Sequence, residues 1–223
     1  MWCVYIRRST PKNPFSFSDL LALQDEVLAD LRLRPAHQQR AVLFAEVTPT
    51  VTLGARQVHD ETQRIHLDQL AEHLKANGIA MHSGERGGKE TWHGPGQWIG
   101  FVLTPLEVYT GEVRGVRKAV YQILESVRSA ILGLEPQARI EDDHRLGIWS
   151  SRGKLVSIGI KIREGMITSG FALNCIRDRT SFFGINPCGL TQAAPDFLFE
   201  GRIENDGFEQ AFQRIPSRLI SFL

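Results

Sequence analysis

The sequence predicts an α+β (α/β) protein with a central mixed β-sheet flanked by helices. Three observations carry this. Between Ala41 and Cys175 short apolar runs of strand length recur, bounded by glycine, proline and small polar residues. Segments with helical apolar spacing lie among and beyond them, and some of the runs are joined by tight turns.

In order, Met1 to Ile6 reads as a strand, and Ser16 with Asp19 three residues on reads as a helix start. Leu20, Leu23, Val27, Leu28 and Leu31 then keep the helical period. Ala41 to Val47 is a strand, and Thr48 to Gly54 is a β-prone segment bracketed by proline and glycine. Leu67, Leu70, Ala71 and Leu74 mark a second helix that closes at Asn77-Gly78. Ile79 to Ser83 and Trp98 to Leu106 are strands on either side of a glycine-rich stretch. Val113 to Leu132 is a third helix, with Val116, Val120, Ile123, Val127 and Ile131 on one face. Gly147 to Trp149 and Lys154 to Ile162 form a hairpin through Ser150-Ser151-Arg152-Gly153. Met166 to Cys175 continues the sheet, and Gly170 within it signals a bulge or a close backbone approach. Asn186 to Gly189 reads as a turn, and Phe208 to Phe222 as a helix interrupted by Pro216.

At 223 residues and 42% hydrophobic content the chain is expected to be one domain, 1–223, with a sizeable core. Lys plus Arg number 26 against 25 acidic residues, so no global field favours nucleic acid or an anionic membrane. No apolar run approaches the roughly 20 residues that span a bilayer, and the first residues are too briefly apolar for a signal peptide. A cytoplasmic protein is expected. Three cysteines without C-x-x-C spacing suggest free thiols rather than disulfides or structural zinc, and the histidines lack metal-ligand spacing.

Arg86 to Gln97, Arg-Gly-Gly-Lys-Glu-Thr-Trp-His-Gly-Pro-Gly-Gln, is the stretch most suggestive of chemistry, and its glycine content predicts a loop. Gly87 and Gly88 would let a ligand lie against backbone N–H groups, and Gly94-Pro95-Gly96 would fix the direction of His93. Cys188, between proline and glycine, is the best nucleophile candidate, whereas Cys175 reads as an inert buried thiol. Taken singly, Lys154 reads as a solvated lysine and His93 as a polar loop residue. No Gly-x-Ser-x-Gly elbow, Walker phosphate loop or His-Glu-x-x-His is present.

Taken together, Thr52-Leu-Gly54, Arg86-Gly-Gly with Thr91-Trp-His-Gly-Pro-Gly-Gln97, Gly147-Ile-Trp149, Lys154-Leu-Val-Ser-Ile-Gly159, Gly170-Phe-Ala-Leu-Asn174 and Pro187-Cys-Gly189 resemble the lipoyl(octanoyl) transferases. The pieces stand in that family's order. The resemblance implies a fold shared with lipoate and biotin protein ligases, no cofactor and no metal. It implies that an octanoyl thioester on acyl carrier protein passes to Cys188. The lysine amine of a lipoyl domain, in 2-oxoacid dehydrogenase complexes or the glycine-cleavage carrier protein, then takes it. Lys154 matches the lysine that exchanges a proton with that cysteine. Arg86, Gly87, Gly88, Lys89, Glu90, Thr91, Trp92 and His93 match one substrate-binding segment. Ser157, Ile158 and Gly159, with Gly170, Phe171 and Ala172, match two more. Two departures stand out: Ser169 occupies the place of a family histidine, and Lys89-Glu90 add charge to the glycine loop.

The implied chemistry is physically sound. With reference values near 8.5 for a thiol and 10.4 for an ammonium, passing a proton from one to the other is favourable by roughly 2.6 kcal/mol in water. A thioester needs no ATP to activate it. An ATP-dependent lipoate or biotin ligase and a non-catalytic binder of lipoyl domains are the alternatives, and a hydroxylamine-labile acyl adduct discriminates among them.

Overall fold

Ser16 sets the first helix, α1 (Phe17–Arg32). Its hydroxyl accepts from the Asp19 N–H at 3.1 Å, and the Asp19 carboxylate accepts from the Ser16 N–H at 2.7 Å, the reciprocal cap the spacing predicts. The computed structural model describes residues 1–54, 61–83, 90–142, 145–185, 194–200 and 208–223, with side chains from 67 onward in the second helix and from 209 in the last.

Seven strands form the main sheet: β1 (Cys3–Arg8), β2 (Ala41–Glu46), β6 (Gln97–Pro105), β7 (Arg139–Glu141), β8 (Gly147–Trp149), β9 (Lys154–Arg163) and β10 (Met166–Asn174). Their spatial order is β1-β2-β6-β10-β9-β8-β7. Only the β1–β2 pair is parallel, so the sheet is mixed as expected. Strand β1 starts two residues later than predicted and runs on through Arg7 and Arg8, because these pair with Ala45 and Glu46 of β2.

β2 and β6 are buried on both faces, and their alternation assigns each side chain to a layer. Ala41, Leu43, Ala45, Ile99, Phe101 and Leu103 pack beneath α1. Val42, Phe44, Trp98 and Val102 pack beneath α4 (Val116–Ile131) and α5 (Phe208–Ile220). Full burial of each large aliphatic or aromatic side chain contributes about 1.5–3 kcal/mol. The sequence predicted that Pro216 interrupts the last helix, yet α5 continues through it. Proline offers no N–H to the carbonyl of Phe212, four residues back. That carbonyl instead accepts the Trp98 indole N–H at 2.8 Å, with the Trp98 and Phe212 rings stacked at 4.7 Å.

A second sheet places β3 (Thr50–Leu53) between parallel β4 (Ala80–Ser83) and antiparallel β5 (Thr91–His93). The helix α2 (Glu61–Ala76) packs on it through Leu74, beside Val51, Ile79, Trp92 and Phe197. It ends as predicted: Gly78 is left-handed at φ 71°, and the Ile79 N–H returns to the Leu74 carbonyl at 3.0 Å. Strand β5 corrects the expectation that all of 86–97 is loop. Thr91-Trp92-His93 is a β-branched and aromatic run that pairs with Thr52, Val51 and Thr50. A short helix, α3 (Leu106–Thr110), and β7 were not predicted, and the third predicted helix begins at Val116 rather than Val113.

In β10 the register with β6 is the same on both sides of Gly170, so there is no bulge there. The close approach is real: a Cβ at 170 would lie 2.0 Å from the Gly100 carbonyl oxygen. The irregularity is one residue earlier, where Ser169 is left-handed at φ 64° and its N–H turns to the Gln24 side chain of α1 at 3.0 Å.

Candidate active site

Lys154 opens β9 immediately after the hairpin, and its backbone is held from three directions. Its N–H donates to the Ala194 carbonyl at 3.1 Å, and its carbonyl accepts from the Asp196 N–H at 2.9 Å and from Asn174 Nδ2 at 3.2 Å. Gly153 permits this contact, since a Cβ there would stand 2.2 Å from the Ala194 oxygen. Buried Asp196 locks the hairpin in turn, accepting from the Ser150 hydroxyl at 2.5 Å and pairing with Arg152 at 2.9 Å. The lysine Nζ lies 5.6 Å from the centre of the Trp149 ring. A Cβ on Gly147, itself at φ 146°, would come within 2.7 Å of Lys154 Cε. Lys154 is thus buried, 8% exposed, and the residue-by-residue reading of a solvated lysine is overturned by the chain at 194–196 packing beside it.

His93 is buried too, on β5 rather than in a loop, because Phe17 stacks on it at 5.2 Å and 11°. The turn after it is fixed as the sequence suggested: Gln97 N–H donates to the Gly94 carbonyl at 3.1 Å. The Gly96 N–H donates to Glu46 at 2.8 Å, while the Gly96 carbonyl accepts from both Cys175 and Ile176 at 2.9 Å. Beyond the turn, Gln97 Oε1 lies 2.7 Å from His93 Nδ1, and Gln97 Nε2 donates to Asn174 Oδ1 at 2.8 Å and the Trp92 carbonyl at 3.2 Å. Asn174 Nδ2 then reaches the Lys154 carbonyl. Sequence reasoning named His93 and Lys154 but missed Gln97 and Asn174. Their signal was an amide at the end of each of two apolar strands, where a buried amide must be hydrogen-bonded.

Two of the predicted substrate-binding triplets face one another across the sheet. Ser157, Ile158 and Gly159 pair with Ala172, Phe171 and Gly170 in β9 and β10. Phe171 turns to the α4 side, where its ring covers Gly100. Alternation puts Ser157, Gly159, Gly170 and Ala172 on the opposite face, next to Ile99 and Phe101 of β6. Phe101 in turn meets Phe17 edge-on at 6.4 Å, so this face is contiguous with the ring stacked on His93. Thr91 is buried, its hydroxyl without a hydrogen-bond partner among the described residues, and Glu90 is half-buried. The Trp92 indole packs into the small-sheet core, 5.6 Å from the Phe182 ring, and reaches the polar network only through its carbonyl. Arg86, Gly87, Gly88, Lys89 and Cys188 lie outside the described residues. Cys175 is fully buried, and burial pushes its thiol well above the ordinary range, in keeping with an inert cysteine. Among the described residues no three His, Cys, Asp or Glu side chains group as a metal site, and no helix is long and apolar enough to cross a membrane.

The lipoyl protein ligase A/B catalytic domain matches residues 17–196, the span that contains the second sheet, every strand of the main sheet but β1, and the polar network. The chain belongs to this family. Within it, octanoyltransferases are its relatives. That of Geobacter sulfurreducens is 32% identical over 78% of the chain, though the match spans only 66% of that protein's length. That of Syntrophotalea carbinolica is 31% identical over 78% of the chain and 74% of its own length. That of Rhodospirillum rubrum is 30% identical over 84% and 82%. The fold is shared with a lipoate-protein ligase A bound with ATP, at TM-score 0.67 and 18% identity over 98% of this chain and 85% of that one. It is also shared with a biotin protein ligase from Leishmania major, at TM-score 0.53 and 10% identity over 99% and 72%. The expected fold, shared with lipoate and biotin protein ligases, therefore holds.

Proposed function

We propose that this lipoyl ligase A/B family member transfers an octanoyl group from acyl carrier protein, through a thioester on Cys188, to the lysine of lipoyl domains. The observation that carries this reading is the burial of Lys154 beside Trp149, with its backbone tied to Ala194, six residues after Cys188 in the chain. A buried amine whose strand is tied to the chain at 194–196 suits proton exchange with a thiol.

In the proposed first half-reaction the Lys154 amine takes the Cys188 thiol proton, and the thiolate adds to the thioester carbon. The carrier thiol then leaves with the proton returned from Lys154. In the second, the acceptor amine attacks the acyl-cysteine, the amide forms, and the cysteine thiolate is expelled while Lys154 receives the proton the amine loses. The small residues at 157, 159, 170 and 172 suit a methylene chain laid along that face, at about 0.8 kcal/mol per buried methylene. The buried Thr91 hydroxyl, which has no partner among the described residues, suits a contact with the acyl carbonyl.

The test is incubation with octanoyl acyl carrier protein without ATP, followed by intact-mass measurement and then addition of a lipoyl domain. A hydroxylamine-labile octanoyl adduct that disappears as the lipoyl domain gains an amide-linked octanoyl group is expected. Undiminished transfer by Cys188→Ala, or transfer only with ATP, would overturn the reading.

A further inference from the structure

The network joining His93 to Lys154 has a direction, and its direction fixes a proton. Backbone carbonyls only accept hydrogen bonds. The amide end of Asn174 that meets the Lys154 carbonyl at 3.2 Å is therefore its NH₂, which turns Oδ1 toward Gln97. Gln97 then meets two acceptors at one end, Asn174 Oδ1 at 2.8 Å and the Trp92 carbonyl at 3.2 Å, so that end is its NH₂. Its Oε1 is left facing His93 Nδ1 at 2.7 Å, and Nδ1 must carry hydrogen. Flipping Gln97 would set an oxygen against two acceptors in a buried site, and flipping Asn174 as well would set an oxygen against the Lys154 carbonyl.

We propose that Gln97 and Asn174 are positioning residues that lock His93 as its Nδ1–H tautomer and tie that ring to the backbone of Lys154, so that the neutral imidazole offers Nε2 as its hydrogen-bond acceptor. The assignment itself needs only the geometry of buried groups; its catalytic consequence rests on the octanoyl-transfer reading above. The relay joins four strands, from β5 through the first residue of β6 and the last of β10 to the first of β9. A displacement of the imidazole is thereby felt at the lysine. A neutral ring with its hydrogen on Nε2 would bring two lone pairs, Nδ1 and Oε1, face to face at 2.7 Å.

The experiment is long-range ¹H–¹⁵N NMR on the full chain with labelled histidine, at a pH where the imidazoles are neutral. The His93 signal is assigned by its loss in His93→Phe. The wild type is expected to show a protonated Nδ1 and a bare Nε2. Gln97→Leu, which removes the acceptor, is expected to shift His93 to the Nε2–H form and to slow acyl-enzyme formation at least tenfold. Gln97→Glu keeps an acceptor for Nδ1 but has no donor for Asn174. It should retain the Nδ1–H form yet still slow transfer. A bare Nδ1 in the wild type overturns the assignment, and a shifted tautomer with undiminished transfer overturns the positioning role. Should Gln97→Leu fail to fold, the wild-type spectrum and Gln97→Glu decide the matter. The spectrum needs no substrate, so absence of octanoyl transfer would sink the functional reading while leaving the tautomer standing.

Discussion

The two ends of β6 carry opposite kinds of burial. At Gln97 the strand begins in a polar knot, where His93, Gln97, Asn174 and the Lys154 carbonyl are buried and successively hydrogen-bonded. After Pro105 the chain turns into α3 beside a cavity of about 410 Å³, lined in part by Trp2, Arg40, Tyr109, Gln122, Ser126 and Phe222. There Arg40 Nε and Gln122 Oε1 are buried without hydrogen-bond partners among the described residues. Buried amides and charges cost several kcal/mol unless satisfied. The satisfied set therefore marks where the fold invests in fixed geometry, and the unsatisfied one marks a looser margin.

The contrast breaks most sharply at Lys154. Lys154→Met preserves most of the buried volume but removes the amine, and octanoyl transfer should fall about 10²- to 10⁴-fold while the circular dichroism spectrum is unchanged. Wild-type rates would show that proton exchange is not its role. Gly147→Ala attacks the same end sterically. Its Cβ would meet the Val156 carbonyl at 2.3 Å in a backbone conformation that suits glycine. Urea unfolding should show a loss of about 1–3 kcal/mol, accompanied by slower transfer.

The far end is sharpened by pH. Burial pushes Tyr109 up from 10.0 to about 12, the Ser126 hydrogen bond acting weakly the other way. The unfolded tyrosine thus loses its proton first. Its contribution is complete below about pH 10 and declines as pH rises toward about 12, by at most about 2–3 kcal/mol. Tyr109→Phe should flatten that part of the stability profile, and an unchanged slope would show the hydroxyl to be solvated. The smallest effect is expected midway along β10, beside β6. Gln24→Ala strands the Ser169 N–H and should cost about 1–2 kcal/mol in urea unfolding. Ser169→Gly, which relieves the left-handed backbone, should be close to neutral.

Local physics made much of the fold legible. The Ser16–Asp19 cap, the Gly78 stop, the 150–153 hairpin and the apolar runs of β2, β6, β9 and β10 each depend on residues a few positions apart. Two short elements, β7 and α3, were not legible, because neither is long enough to show a period. Glycines on both sides hid β5, although Thr91-Trp92-His93 had the right propensity. At the site, ordered motifs pointed to His93, Lys154 and the two strand triplets, but nothing local announced Gln97 and Asn174 as partners.

By itself the sequence determined the periodicities, the caps and turns, the family motifs and the residue types able to move a proton, since all of these are written in near neighbours or in chain order. Tertiary structure alone decided that Lys154 is buried rather than solvated, and that two triplets thirteen residues apart pair one for one. It also decided that a glutamine and an asparagine 77 positions apart set the hydrogen on a histidine. Burial and hydrogen-bond direction depend on which strands the sheet brings side by side, and that order is settled only when the whole core closes.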